Sequence, residues 1–216
     1  MPVRTLAQQY FRTGLAVADS SHQNSNMTEN KVPHWQAIRG FFDFHEVYLD
    51  WATKAKDGDI FVEVGSYLGA SACYFGTQIK RMNKKVTLLC VDTWPSTYIH
   101  PDAQKTEIEA PFETFYANVR QSGLTKIIVP IRAESLWAAK FVSDDLSGVF
   151  IDGNHEYESV KSDLNAWFPK TKRGYGFFAG HDYSISWPGV IKAVDEFFHG
   201  KDIKIVGQCW NFTCKY

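Results

Sequence analysis

Cysteine is scarce in this chain and never spaced for a metal or a dithiol. The four that occur, Cys73, Cys90, Cys209 and Cys214, form no Cys-x-x-Cys pair, which argues against a zinc knuckle or a redox couple. Cys73 and Cys90 lie in apolar surroundings and read as buried thiols. Cys209 and Cys214 fall on the last strand, where a disulfide is left open and nothing requires an oxidising compartment. No apolar run approaches membrane-spanning length and no apolar h-region opens the chain. A soluble, cytoplasmic protein without a membrane partner is therefore expected, and the sequons at Asn26 and Asn211 read as chance matches. An excess of one charge is missing too. With 23 Lys and Arg against 24 Asp and Glu the net charge is -1, which gives no electrostatic reason to expect nucleic acid or an anionic membrane. Aromatic residues, in contrast, are plentiful at 15%, enough for a large core and for some to line a pocket.

At 216 residues the chain is long enough for one domain with a full core. Residues 1–33 read as an arm, with a short amphipathic helix on Leu6, Tyr10 and Phe11 and a Ser/Asn-rich loop from Ser20 to Asn30. Residues 34–216 read as a single α/β domain without internal repeat. It opens with a helix after Pro33 whose inward face is Ile38, Phe41, Phe42, His45, Tyr48, Leu49 and Ala52. Short apolar runs of the kind buried on both faces of a parallel sheet then alternate with amphipathic helices. The runs lie at 60–64, 86–91, 127–131, 148–152 and 176–180. The irregular stretch Thr93–Pro111 reads as a functional loop, often a lid. Ile203–Val206 and Cys209–Thr213, separated by Gly207 and Gln208, read as a closing hairpin. The alternation predicts a Rossmann-like three-layer sandwich with a mostly parallel seven-stranded sheet, right-handed crossovers and an antiparallel last strand.

The chemistry gathers at strand ends. Glu63-Val64-Gly65-Ser66-Tyr67-Leu68-Gly69 is a strand ending in an acid and a glycine turn that leads into a helix. Gly65 lets the backbone turn and approach a ligand, and α/β sheets bind ligands beside such turns. Asp92 ends the second strand 27 residues after Gly65 and could accept hydrogen bonds from ribose hydroxyls; a turn aspartate is the plainer alternative. Asp152 ends the fourth strand, with Gly153-Asn154-His155-Glu156-Tyr157 behind it. His181-Asp182-Tyr183 ends the fifth. Four acids, Glu63, Asp92, Asp152 and Asp182, are thus expected on one rim.

These segments resemble a class I S-adenosylmethionine-dependent methyltransferase over roughly residues 36–216. Phe150–Tyr157 and Gly180–Tyr183 are similar to the small-molecule O-methyltransferase branch that includes the macrolide-sugar enzymes. The resemblance implies S-adenosylmethionine held by Glu63, Gly65, Ser66, Tyr67, Gly69, Asp92 and Asp152, with Glu134 and Ser135 near adenine. It implies His155 as the base that deprotonates a hydroxyl of a small molecule, a sugar among the candidates, and Asp152 as its catalytic neighbour. Asp152 and Asp182 would seat Mg2+ or another divalent cation, with Asn154, His155 or His181 completing the set because Tyr183 occupies the place of the usual amide; alternatively Asp182 orients His155 or His181 with no metal. His181, Tyr183, Trp94 and Trp187 are expected on the substrate side, where the two tryptophans either stack on adenine or a sugar ring or pack the rim. Tyr67 stands where the family's middle glycine is common, so the loop is expected to turn without positive φ, and the pattern departs from a dinucleotide Gly-x-Gly-x-x-Gly turn. Two rivals share the fold: a metal-independent methyltransferase on another acceptor, and a catalytically silent cofactor-binding or assembly module. The amino-terminal arm could serve a homodimer contact.

Overall fold

The computed structural model describes residues 35–99, 107–172 and 174–214. The amino-terminal arm, with its expected helix and loop, and His100 of the long loop lie outside the described residues. Strands β1 (Ile60–Val64), β2 (Thr87–Asp92), β5 (Ile128–Arg132), β6 (Gly148–Ile151), β7 (Phe177–Gly180), β8 (Lys204–Val206) and β9 (Cys209–Thr213) form one sheet in the order β5-β2-β1-β6-β7-β9-β8. The first five pair in parallel; β9 runs antiparallel to both β7 and β8. Side chains alternate across a strand, and each face has its own core. Phe61, Leu88, Cys90, Phe150 and Ala179 pack under helices α1 (His45–Lys54), α2 (Ala70–Arg81) and α3 (Pro111–Gln121). Val62, Val64, Leu89, Val91, Val149, Ile151 and Phe178 pack under α4 (Ser135–Phe141), α5 (Tyr157–Trp167) and α6 (Pro188–Phe197). This is the three-layer sandwich the apolar runs predict. All four cysteines are free and buried, and no disulfide joins Cys209 to Cys214. No helix among the described residues is long and apolar enough to cross a membrane.

Three elements differ from expectation. The first helix begins only at His45, after a 3-10 turn at Trp35–Ala37, and Phe41 and Leu49 are exposed. The segment between is drawn across the sheet edge instead: Phe44 stacks on Phe150 at 4.5 Å and lies 4.9 Å from the His181 ring. The stretch 93–111 carries a small antiparallel ladder, β3 (Thr97–Ile99) with β4 (Glu107–Glu109). Helix α4, not expected from the sequence, fills the crossover after β5.

The order places β1 between β2 and β6, so the chain leaves β1 in one direction and the later strands extend in the other. The crevice at the carboxyl ends of β1 and β6 is the topological switch point, where open α/β sheets take their ligands.

Candidate active site

Glu63 shares the β1 face of Phe61 and so points beneath α1. It is 1% exposed. The Tyr48 hydroxyl donates to its Oε2 at 2.6 Å, while its Oε1 and the nearby Ser66 Oγ are buried with no hydrogen-bond partner. Burial holds the Glu63 pKa above the ordinary carboxylate value, with the hydroxyls of Tyr48, Ser66 and Ser71 pulling the other way.

The turn after β1 is built on close approach. A Cβ on Gly65, at φ 87°, would stand 1.9 Å from the Asp152 carbonyl oxygen, so only glycine lets β1 and β6 end side by side. Tyr67 overturns the expectation of a turn without positive φ: its φ is 46°. The left-handed region costs a non-glycine residue about 1–2 kcal/mol. Here both its backbone groups are held, because Tyr67 N–H donates to Asp92 Oδ2 at 2.9 Å and its carbonyl accepts the Trp94 indole N–H at 2.6 Å. Asp92 also accepts the Trp94 amide at 2.9 Å. It therefore acts as a turn aspartate that braces the loop, and burial raises its pKa against the pull of those amides. Trp94 is 1% exposed and packs on Phe112 and Phe115. Its ring is core, which removes it as a stacking surface for a ligand.

At the ends of β6 and β7 two acids and two histidines meet. His155 Nε2 lies 2.7 Å from Asp182 Oδ2. His181 Nδ1 lies 3.4 Å from Asp182 Oδ1 and 3.7 Å from Asp152 Oδ1, and its Nε2 is 2.7 Å from Asp43 Oδ1. Burial lifts the Asp152 pKa to about 7, opposed by the His181 charge and reinforced by Asp182 and Glu63. Burial works against the charged form of His181, yet Asp182, Asp152 and Asp43 outweigh it and push its pKa up to about 9. The same contest raises His155, through its bond to Asp182. Burial disfavours the Asp182 carboxylate too, but the two histidine bonds win and its pKa falls below the ordinary value. Asp152, His155 and Asp182 each offer a ligand atom within 4.8 Å of the others, a set fit for a metal ion. Asn154 does not belong to it: its Oδ1 accepts the Glu156 amide at 2.8 Å as a local turn.

The remaining predicted residues divide. Trp187 lies against His155, ring centroids 4.2 Å apart. Tyr183 does not join the cluster, because its hydroxyl donates to Asp195 of α6 at 2.7 Å. Glu134 is the exposed residue before α4. The Ser135 hydroxyl is turned inward, donating to Asp163 Oδ1 at 2.6 Å and accepting the Trp167 indole at 2.9 Å; burial raises the Asp163 pKa to about 6. Sequence reasoning missed Tyr48, Asp43 and Asp163, whose partners lie 15, 138 and 28 residues away.

A family model described as a methyltransferase domain matches residues 62–183, the span from β1 through the end of β7. No curated protein matches the chain. Among solved structures, the O-methyltransferase NovP is similar with a TM-score of 0.61 and 19% identity, covering 80% of this chain and 79% of its own. An rRNA methylase from Streptococcus thermophilus is similar with a TM-score of 0.57 and 12% identity, covering 81% and 97%. A Streptococcus mutans protein described as a methyltransferase, in complex with SAH, has a TM-score of 0.57 and 10% identity, covering 81% and 99%. At these identities the likeness concerns the fold.

Proposed function

The chain belongs to the methyltransferase-domain family, and we propose that it is an O-methyltransferase that moves the methyl group of S-adenosylmethionine to a hydroxyl of a small molecule such as a sugar. The observation that carries the reading is the meeting of Asp152, His155 and Asp182 within 4.8 Å, beside the Gly65 turn that touches Asp152. The rRNA methylase among the structural neighbours supports the fold only, and a net charge of -1 supplies none of the positive charge a polyanionic acceptor needs.

The residues present fit the cofactor. Glu63 Oε1 and Ser66 Oγ, buried and unpartnered, suit its amino-acid end, and the acceptor-only Asp92 carboxylate at the end of β2 suits a ribose diol. We assign Glu134, the exposed residue before α4, to the purine side. When bound, S-adenosylmethionine supplies an electrophilic methyl group on a sulfonium. What remains for the protein is alignment and removal of the acceptor proton. The Asp182 bond fixes His155 with its proton on Nε2, which leaves Nδ1 as the lone-pair nitrogen that takes the acceptor proton. Asp182 then faces the imidazolium that results. Trp187 against the His155 ring limits its rotation.

Asp152, His155 and Asp182 would hold a divalent cation such as Mg2+, which asks for only one or two carboxylates from the protein and supplies Lewis-acid stabilisation of an ionised hydroxyl. A metal-free reading has its own support: the two Asp182 oxygens already face His155 and His181, and that arrangement works as a base and its orienter. The experiment is methyl transfer from labelled S-adenosylmethionine to a panel of hydroxylated small molecules, with Mg2+ or with chelator. A methyl ether product is expected. A folded protein that takes up S-adenosylmethionine but methylates only nitrogen acceptors would remove the hydroxyl assignment, and unchanged turnover in chelator would decide for the metal-free form.

A further inference from the structure

We propose that Tyr48 is a positioning residue for the cofactor: its buried hydroxyl fixes the Glu63 carboxylate so that the second oxygen receives the α-ammonium group of an amino-acid moiety. The inference rests on the cofactor reading above and adds to it a residue from α1, outside the glycine motif.

Tyr48 is 1% exposed. Its ring is wedged among Phe44, Trp51, Phe75 and Phe150, with centroids 5.0–5.7 Å away, so the hydroxyl has one place to be. There it donates to Glu63 Oε2 at 2.6 Å. A phenylalanine would fill the same apolar space; only the hydroxyl distinguishes a positioning role from packing. With Oε2 taken, Oε1 is the oxygen left over, buried and unpartnered, with Ser66 Oγ in the same condition. A carboxylate is acceptor-only, and a buried acceptor without a donor is costly until one arrives. A cationic N–H donor meets both the hydrogen bond and the charge.

Among the described residues, the groups that face Glu63 supply no cation. They are Tyr48 from α1, Ser66 from the turn, Ser71 and Cys73 from α2, Cys90 and Asp92 from β2, and Asp152 from β6. Burial and the neighbouring acid Asp92 favour protonated Glu63, and the hydroxyls of Tyr48, first, and of Ser66 and Ser71 oppose them. Arrival of an ammonium group is therefore coupled to loss of the Glu63 proton, and affinity for the amino-acid end rises with pH through the Glu63 midpoint. Without the Tyr48 hydroxyl that midpoint moves higher.

The test is calorimetric titration of S-adenosylmethionine into the wild type, Tyr48→Phe and Glu63→Gln over a range of pH, with near-ultraviolet circular dichroism confirming each fold. Tyr48→Phe is expected to bind roughly tenfold more weakly at the acid end and to approach the wild type at the alkaline end, its profile moved up by roughly one pH unit. Glu63→Gln should lose this part of the pH dependence. In the wild type, titrations in buffers of different ionisation heat should report proton release on binding at acid pH. A Tyr48→Phe profile that overlays the wild type, or that is weaker by the same factor at every pH, overturns the proposal, as does binding without proton release. No binding by the folded wild type at any pH defeats the cofactor reading itself, a distinct outcome.

Discussion

At the amino end of β1, Asp59 accepts the Ser147 hydroxyl at 2.6 Å, the Lys172 ammonium at 3.0 Å and the Lys56 amide at 2.8 Å. At the carboxyl end, Glu63 accepts one hydroxyl and keeps a bare oxygen. Both acids are buried, at 8% and 1% exposure. Burial pushes both pKa values up; at Asp59 the Ser147, Lys56 and Lys172 donors reverse it, and at Glu63 the nearby hydroxyls of Tyr48, Ser66 and Ser71 only oppose it. The backbone does not share the contrast: Tyr67, Trp94 and Asp182 take positive φ at the carboxyl edge, and Asn83 and Asp145 do so ahead of β2 and β6 at the amino edge. One strand thus has a satisfied end that holds the sheet together and an under-satisfied end where a ligand would complete the bonding. The unmet buried carboxylate oxygen marks the end where function is expected.

The largest expected break in this comparison is chemical. His155→Ala should cut methyl transfer about 10²–10⁴-fold while S-adenosylmethionine affinity, measured by calorimetry, changes only a few-fold. An equal loss at both would move His155 from the acceptor to the cofactor.

The two ends of β1 should then separate under paired substitution. Asp59→Ala strands Lys172 and Ser147, and should cost about 2–3 kcal/mol in denaturant unfolding with cofactor affinity unchanged. Glu63→Gln should stay within about 1 kcal/mol of the wild type, because it removes a buried charge lacking a full set of partners, and should weaken cofactor affinity by ~10–100-fold. Reversed results would exchange the two roles.

A smaller effect follows from His181. Its folded pKa, about 9, exceeds the unfolded value near 6.5. Its contribution is therefore complete below about pH 6.5 and is lost as pH rises through 9. Asp152, raised to about 7, loses stability in the same direction at lower pH, so the His181 part is read as a difference. Wild type minus His181→Gln should shrink by about 1–3 kcal/mol across that window, followed by urea unfolding at several pH values. The smallest effect belongs to Tyr183, whose partner Asp195 lies outside the cluster. Tyr183→Phe should shift stability by less than about 0.5 kcal/mol and leave methyl transfer unchanged.

The sheet was legible because its strands are buried on both faces, so that 60–64, interrupted only by Glu63, and 148–151 read as apolar runs. Helix α4 was not: it spans 7 residues, and Leu136, Trp137 and Phe141 face outward, which leaves no apolar stripe. The aromatics at 41–44 imitate a helical face, and the true helix starts after them. The acids at the strand ends were visible because each lies next to its own apolar run. What each acid is bonded to was not. Asp43 reaches His181 across 138 residues, and Tyr67 keeps its left-handed turn only through Asp92 and Trp94, partners that no local spacing announces.

A crystal structure with S-adenosylhomocysteine bound tests the central claim most directly. The product should lie along the 63–69 turn with its amino group at Glu63 and its ribose at Asp92, leaving Asp152, His155 and Asp182 open to an acceptor. Density instead in the cleft of about 240 Å3 between α1 and the β8–β9 hairpin, lined by Trp51, Lys54, Phe177 and Lys204, would contradict it.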